Sequence, residues 1–342
     1  MDTLVCEQCF NDVELKALIH NSSATGKCSF THEKGPVLKL TELLDFFIDI
    51  SRLFTADPNS SFTVADILQN DWMLFSDEEI GQQILDKIGT MSPETGIFKE
   101  QHVSYSEEIQ KTVNYWEILK EEIKYQSRYL TNVQPLLDLE WDKLLGMKTE
   151  LEPTKELFRA RIHTERRKDC YPESEMSAPP KELSAPGRAN VKGIPYLYLC
   201  GEAETVLYEV RASYLDEVSV GKFKQKDQNA IIQIADFTYT PSLYSSDADI
   251  SEIVRSRLLR KAISADLSKP VRRYDSRLDY VPTQFICEFM RNMSGVDGVM
   301  FKSSLRTDAE GTNIVIFNPE LMECVEVRKW IVSSVTIESQ HA

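Results

Sequence analysis

Near Thr154 the apolar residues of this chain change their spacing, and one layer of structure cannot satisfy both patterns. Upstream, Leu38, Leu40, Leu43, Leu44, Phe46, Phe47, Ile50, Leu53 and Phe54 recur every three or four residues, the period of a helix burying one face. Ser76-Asp77-Glu78-Glu79 reads as an N-cap with first-turn acids, opening a helix through Ile80, Ile84, Leu85 and Ile88 that stops at Gly89. Ser104 to Leu130 predicts the longest helix, with Trp116 and Tyr129 as core anchors. Downstream, Leu157-Phe158-Arg159-Ala160-Arg161-Ile162 alternates with period two, which predicts a strand with both arginines on one face. Short strands are then expected at 194–199, 219–223, 230–234, 299–302 and 314–317, between helices at 202–210, 251–265 and 282–293. The expected fold class is α+β: an all-α domain over 36–150, then a mixed α/β domain over 151–342. At 342 residues more than one core is expected. No GxGxxG follows a strand, so a doubly wound nucleotide domain is disfavoured.

The first thirty-five residues form a separate problem. Cys6-x-x-Cys9 is followed after eighteen residues by Cys28 and then His32, which is structural zinc spacing. A segment this short has little core of its own, and a metal would supply the missing folding free energy. A closed site of Cys6, Cys9, Cys28 and His32 leaves no open position, so the expected role is structural. The competing reading is three buried thiols. His20, on the apolar helix of Leu15, Leu18 and Ile19, reads as a surface or packing residue.

The net charge of −15 argues against general nucleic-acid binding, which needs clustered Lys and Arg, but it leaves room for a local basic pocket. No apolar run is long enough to span a membrane, and MDTLVCEQCF lacks the form of a secretory signal. The seven cysteines are an odd number, and four of them (Cys170, Cys200, Cys287 and Cys324) are scattered, which suits a reducing compartment with buried thiols. The expectation is a cytoplasmic protein. In the helical half neither His102 nor Arg128 has the partner, Arg followed four to six residues later by His, of small helical nucleases. Packing, oligomerisation or sensing is the role expected there.

Chemistry concentrates in Gly187 to Arg211, GRANVKGIPYLYLCGEAETVLYEVR. A loop arginine (Arg188), an aromatic strand (Tyr198) and an acid-bearing helix (Glu209) lie within twenty-five residues. A cation, a ring and a carboxylate suit a substrate that is part phosphate, part aromatic and part sugar. The long loop from Lys168 to Asn190, with Pro172, Pro179, Pro180 and Pro186, adds to that expectation. Taken singly, Glu209 reads as a surface ion-pair partner, Tyr198 as core and Ser303-Ser304 as turn chemistry.

Four segments together resemble the RES-domain family: Phe158-Arg159-Ala160-Arg161; Gly187-Arg188-Ala189-Asn190 with Gly193 to Tyr198; Thr205 to Glu209; and Phe301-Lys302-Ser303-Ser304 with Gly311 to Val315. The resemblance covers about residues 155 to 325, and the N-terminal half resembles the helical extension found ahead of some members. It implies a fold like the ADP-ribosyltransferase toxins, NAD⁺ as substrate, cleavage by hydrolysis or phosphorolysis, and control by an antitoxin or regulatory protein. Transfer of ADP-ribose to a macromolecule, or a non-catalytic nucleotide-binding or partner-binding module, are the alternatives. It assigns Glu209 to the ribose and its cationic carbon, Tyr198 to the nicotinamide ring, and Arg188 with Arg159 (or Arg161) to the pyrophosphate. The serine is Ser303 or Ser304. The commoner pattern has Trp where this chain has Ala189. His163 is a second-tier candidate, while Tyr196 and Tyr208 are left to packing.

Overall fold

The computed structural model describes residues 2–100, 102–164, 167, 169–245, 249–269, 277–305 and 311–335. The chain forms two compact units, one of Met1–Tyr115 with Thr240–Leu259 and one of Trp116–Tyr239 with Arg260–Ala342. No helix among the described residues is long and apolar enough to cross a membrane.

The first unit is helical, as the periodicity predicts, through Val13–His20, Leu44–Ser51, Val64–Trp72 and Glu78–Ile88. Side-chain oxygens satisfy the orphan amides at several helix starts. Asp12 accepts from Leu15, Thr63 and Asp66 form a reciprocal box, and Asp77 accepts from Ile80. The cap is thus Asp77 rather than Ser76. Phe10, Phe47, Phe75, Leu15, Ile50 and Leu68 fill the core. Three two-stranded ribbons accompany these helices among the described residues: Leu4–Val5 with Leu38–Lys39, Thr25–Lys27 with Lys34–Pro36, and Phe54–Ala56 with Val103–Tyr105. They supplement the all-helical reading and are too short to leave a period-two trace.

The second unit is built on a mixed eight-stranded sheet. Its order is Met322–Ile331, Glu217–Gln225, Leu157–Ile162, Leu197–Cys200, Thr312–Ile316, Gly298–Lys302, Gln233–Asp236, Lys148–Glu150. Gln233–Asp236 and Gly298–Lys302 run parallel, and the other neighbours are antiparallel. One junction matters for function. Leu157–Ile162 and Leu197–Cys200 share a single residue pair, Phe158 with Cys200. Beyond it the ladder stops, and Leu157–Ile162 continues only against Glu217–Gln225. The strands splay there and leave a gap between two halves of the sheet.

Trp116 is buried against Trp141, and its indole N–H donates to Asp266 at 2.7 Å. Tyr129, expected in the core, is 92% exposed. The helix stops at Tyr125, so Tyr129 falls past the last turn and off its apolar stripe. Arg260 is a buried tie: its guanidinium donates to the carbonyls of Leu144, Leu145, Met147 and Asp236. Removing a buried donor set strands its acceptors, so Arg260→Met is expected to cost about 3 kcal/mol in urea unfolding. A loss below about 1 kcal/mol would show that these acceptors find other partners.

Candidate active site

The splay opens into a cavity of about 560 Å³. Phe158, Arg159 and Ala160 line it from one strand, Tyr198, Leu199 and Cys200 from the other. Arg188, Glu209, Arg211, Tyr280, Leu305 and Asn313 are also on its wall. That volume falls within the range of small-molecule sites, roughly 300–1,000 Å³.

Glu209 is the last residue of the helix Thr205–Glu209. The helix was expected to run over 202–210. It begins three residues later, after a turn at 201–204, and Arg211, with φ of 54°, turns the chain out just past its end. The Glu209 carboxylate is half-buried and fixed on one side. Ser303 Oγ and Asn313 Nδ2 both donate to its Oε1 at 2.7 Å. Asn313 is itself oriented by the Cys200 thiol, 3.2 Å from its Oδ1. Ser303 and Asn313 meet because Gly311, whose carbonyl accepts from the Ser303 amide at 2.8 Å, returns the chain alongside.

Arg159 lines the cavity with its Nη1 buried and without a hydrogen-bond partner among the described residues. Burial, with the neighbouring Arg161 second, pulls its guanidinium down to about 10. A desolvated cation with an unused donor is poised for an anion. Arg161 shares the strand face, but its Nη2 donates to the Ser177 carbonyl at 2.9 Å and its guanidinium lies 5.6 Å over the Tyr171 ring. Arg161 is not among the residues lining the cavity; Ser177 and Tyr171 hold its guanidinium instead. His163 is likewise sequestered, with Nε2 at 2.7 Å from Ser219 and its ring against Tyr171.

Arg188 lines the cavity and donates to the Leu267 carbonyl at 2.9 Å, while its own carbonyl accepts from Thr283 at 2.6 Å. Its loop is clamped by Tyr198. That hydroxyl donates to Asn190 at 2.8 Å and accepts from the Ala189 amide at 3.0 Å. Burial pushes the Tyr198 phenol well above its ordinary range, so it stays protonated. Gly187 is required by this packing, since a Cβ there would sit 2.5 Å from the Tyr198 oxygen. Ser304 is turned away, its hydroxyl donating to the Ser268 carbonyl, whereas Ser303 points to Glu209.

Asn313 and Arg211 are among the wall residues to which the sequence assigns no role. Asn313 lies in the quoted motif, and its signal is an amide in the apolar strand Thr312–Ile316. Arg211 resembles any solvated charge in sequence. Only the backbone turn places it at the cavity.

The N-terminal thiols also converge. The sulfurs of Cys6, Cys9 and Cys28 lie within 4.8 Å of one another, and all three residues are buried. Cys28 is held far below the ordinary thiol range, chiefly by the Cys9 thiol, and its sulfur accepts from the Phe30 amide at 3.4 Å. A buried set of three soft sulfur donors this close together fits a thiophilic cation. His32 is not within this group; it is exposed, with φ of 61°, and its Nδ1 lies 3.4 Å from the Cys28 carbonyl. Thr31 stands nearer, its hydroxyl 3.2 Å from the Cys6 sulfur.

The RES domain model matches residues 156–334, just over half of the chain. The chain therefore belongs to the RES-domain family. No curated protein matches it.

Proposed function

We propose that this protein cleaves NAD⁺ between the nicotinamide nitrogen and the ribose C1′, as a toxin-like enzyme restrained by an antitoxin or regulatory protein. The observation that carries the reading is the Glu209 carboxylate on the cavity wall, one oxygen held by Ser303 and Asn313, with Arg159 and Arg188 on the same wall. As the C1′–N bond breaks, its electron pair returns to the nicotinamide ring and positive charge grows on the ribose. A carboxylate fixed beforehand stabilises that charge without having to reorganise. The leaving group becomes neutral as it departs, so no strong general acid is required. Arg159 and Arg188 would hold the pyrophosphate, and the Tyr198 ring would pack on the nicotinamide while its hydroxyl keeps the Arg188 loop in place. Water or inorganic phosphate then forms the new bond to C1′ and releases its proton.

The test is to incubate the purified protein with NAD⁺, with and without inorganic phosphate, and to follow free nicotinamide. Release is expected, and its absence would overturn the proposal. Label from NAD⁺ fixed to protein or nucleic acid would redirect the reading to ADP-ribosyl transfer. Asn313 acts here as a positioning residue. Asn313→Ala removes one of the two donors to Oε1 and is expected to lower kcat about 10- to 100-fold, with KM changed less than about threefold. A change confined to KM would place Asn313 in binding instead.

In the first unit, Cys6, Cys9 and Cys28 would hold a structural zinc ion, with His32 the candidate for a fourth ligand.

A further inference from the structure

We propose that Arg211 is a phosphate-binding residue of the cavity, kept on its wall by an unfavourable backbone conformation. The inference rests on the nucleotide reading of the cavity, and it concerns a residue that reading does not use.

The helix bearing Glu209 closes with a pair of reverse hydrogen bonds. Arg211 N–H donates to the Tyr208 carbonyl at 2.9 Å, and Ala212 N–H donates to the Leu207 carbonyl at 3.0 Å. This closure needs a left-handed residue between the helix and its exit, a place where glycine is favoured because it has no Cβ. Here the residue is Arg211, with φ of 54°. Other non-glycine residues share that region, namely His32, Met73, Glu140 and Leu215, but Arg211 is the one that lines this cavity. A strained residue on a ligand cavity points to a side chain kept for function.

Its position defines the ligand group. Arg159 comes from the strand Leu157–Ile162 and Arg188 from the loop clamped by Tyr198, whereas Arg211 is exposed and follows Glu209 by two positions in the chain. A ribose whose C1′ meets Glu209 carries its phosphate on C5′ of the same ring, and an incoming phosphate would approach C1′ itself, so either phosphate would lie near this part of the wall. A guanidinium takes a phosphate through paired hydrogen bonds that an ammonium cannot reproduce. The class of ligand is therefore a phosphate group, either that of the dinucleotide or inorganic phosphate acting as acceptor.

The test uses the full-length protein and three variants. Arg211→Gly removes both the guanidinium and the strain. It is expected to raise Tm by roughly 2–4 °C while weakening ADP-ribose binding, read by calorimetry, about tenfold or more. Arg211→Lys, which keeps the charge and the strain, should fall between wild type and Arg211→Gly in binding. Leu215→Gly, at φ of 68° and outside the cavity, should raise Tm and leave binding unchanged. If ADP-ribose binding holds and only the response of the rate to added inorganic phosphate weakens, the guanidinium serves the acceptor. If both readouts of Arg211→Gly equal wild type, the proposal is overturned, whatever happens to Tm. A wild type that releases no nicotinamide, but loses ADP-ribose affinity on Arg211→Gly, would sink the catalytic reading and keep Arg211. A wild type that binds neither ADP-ribose nor inorganic phosphate overturns both.

Discussion

Glu209→Gln is expected to lower nicotinamide release from NAD⁺ by about a thousandfold or more, with little change in Tm. The change keeps shape and removes charge. Ser303 and Asn313 both need an acceptor at Oε1, and the glutamine carbonyl oxygen can serve them. The amide nitrogen is then forced to the other position, the one the charged carboxylate would present to the substrate. A donor would stand where the cationic ribose carbon requires an anion, so the transition state loses its stabiliser and meets a wrong-signed dipole. Ground-state binding should persist, because Arg159 and Arg188 are untouched. The expected pattern is a collapse of kcat at nearly constant KM. Release by Glu209→Gln at the wild-type rate would remove this carboxylate from the chemistry.

Cys28→Ser is expected to abolish metal binding and to melt the segment that carries the thiols. Wild-type protein should hold about one zinc per chain and the variant almost none, measured by elemental analysis after dialysis. The stability effect should be the largest of any single change in the first unit. Structural zinc contributes on the order of 10 kcal/mol of apparent binding free energy in small domains, and binding there is folding. The ribbons beside the cluster are two and three residues long and bring little core of their own. The His32→Ala variant reads the fourth position, since equal metal loss in both variants would place that imidazole in the site. Wild type that is metal-free and melts together with Cys28→Ser would leave only three buried thiols.

The helical half could be read from spacing because each helix there has a continuous apolar stripe and a polar cap. The paired ribbons could not, because a strand of two or three residues carries no period. The family was legible because its motifs are local runs, such as Gly187 to Asn190 and Thr205 to Glu209. The choice within two pairs was not legible. Arg159 and Arg161 share a strand face, so alternation cannot separate them, and Ser303 and Ser304 are adjacent. In the structure the Ser177 carbonyl takes one arginine and the Ser268 carbonyl takes one hydroxyl.

Composition, spacing and short motifs thus determined the class of fold, its two kinds of secondary structure and the residues that carry charge. The tertiary structure alone decided that the sheet parts after Phe158, that Asn313 reaches Glu209 across 104 positions, and that Arg211 turns back to the cavity. The physical reason is range. Periodicity and capping are set by neighbours within a few residues, whereas a cavity exists only where distant segments fail to close against each other.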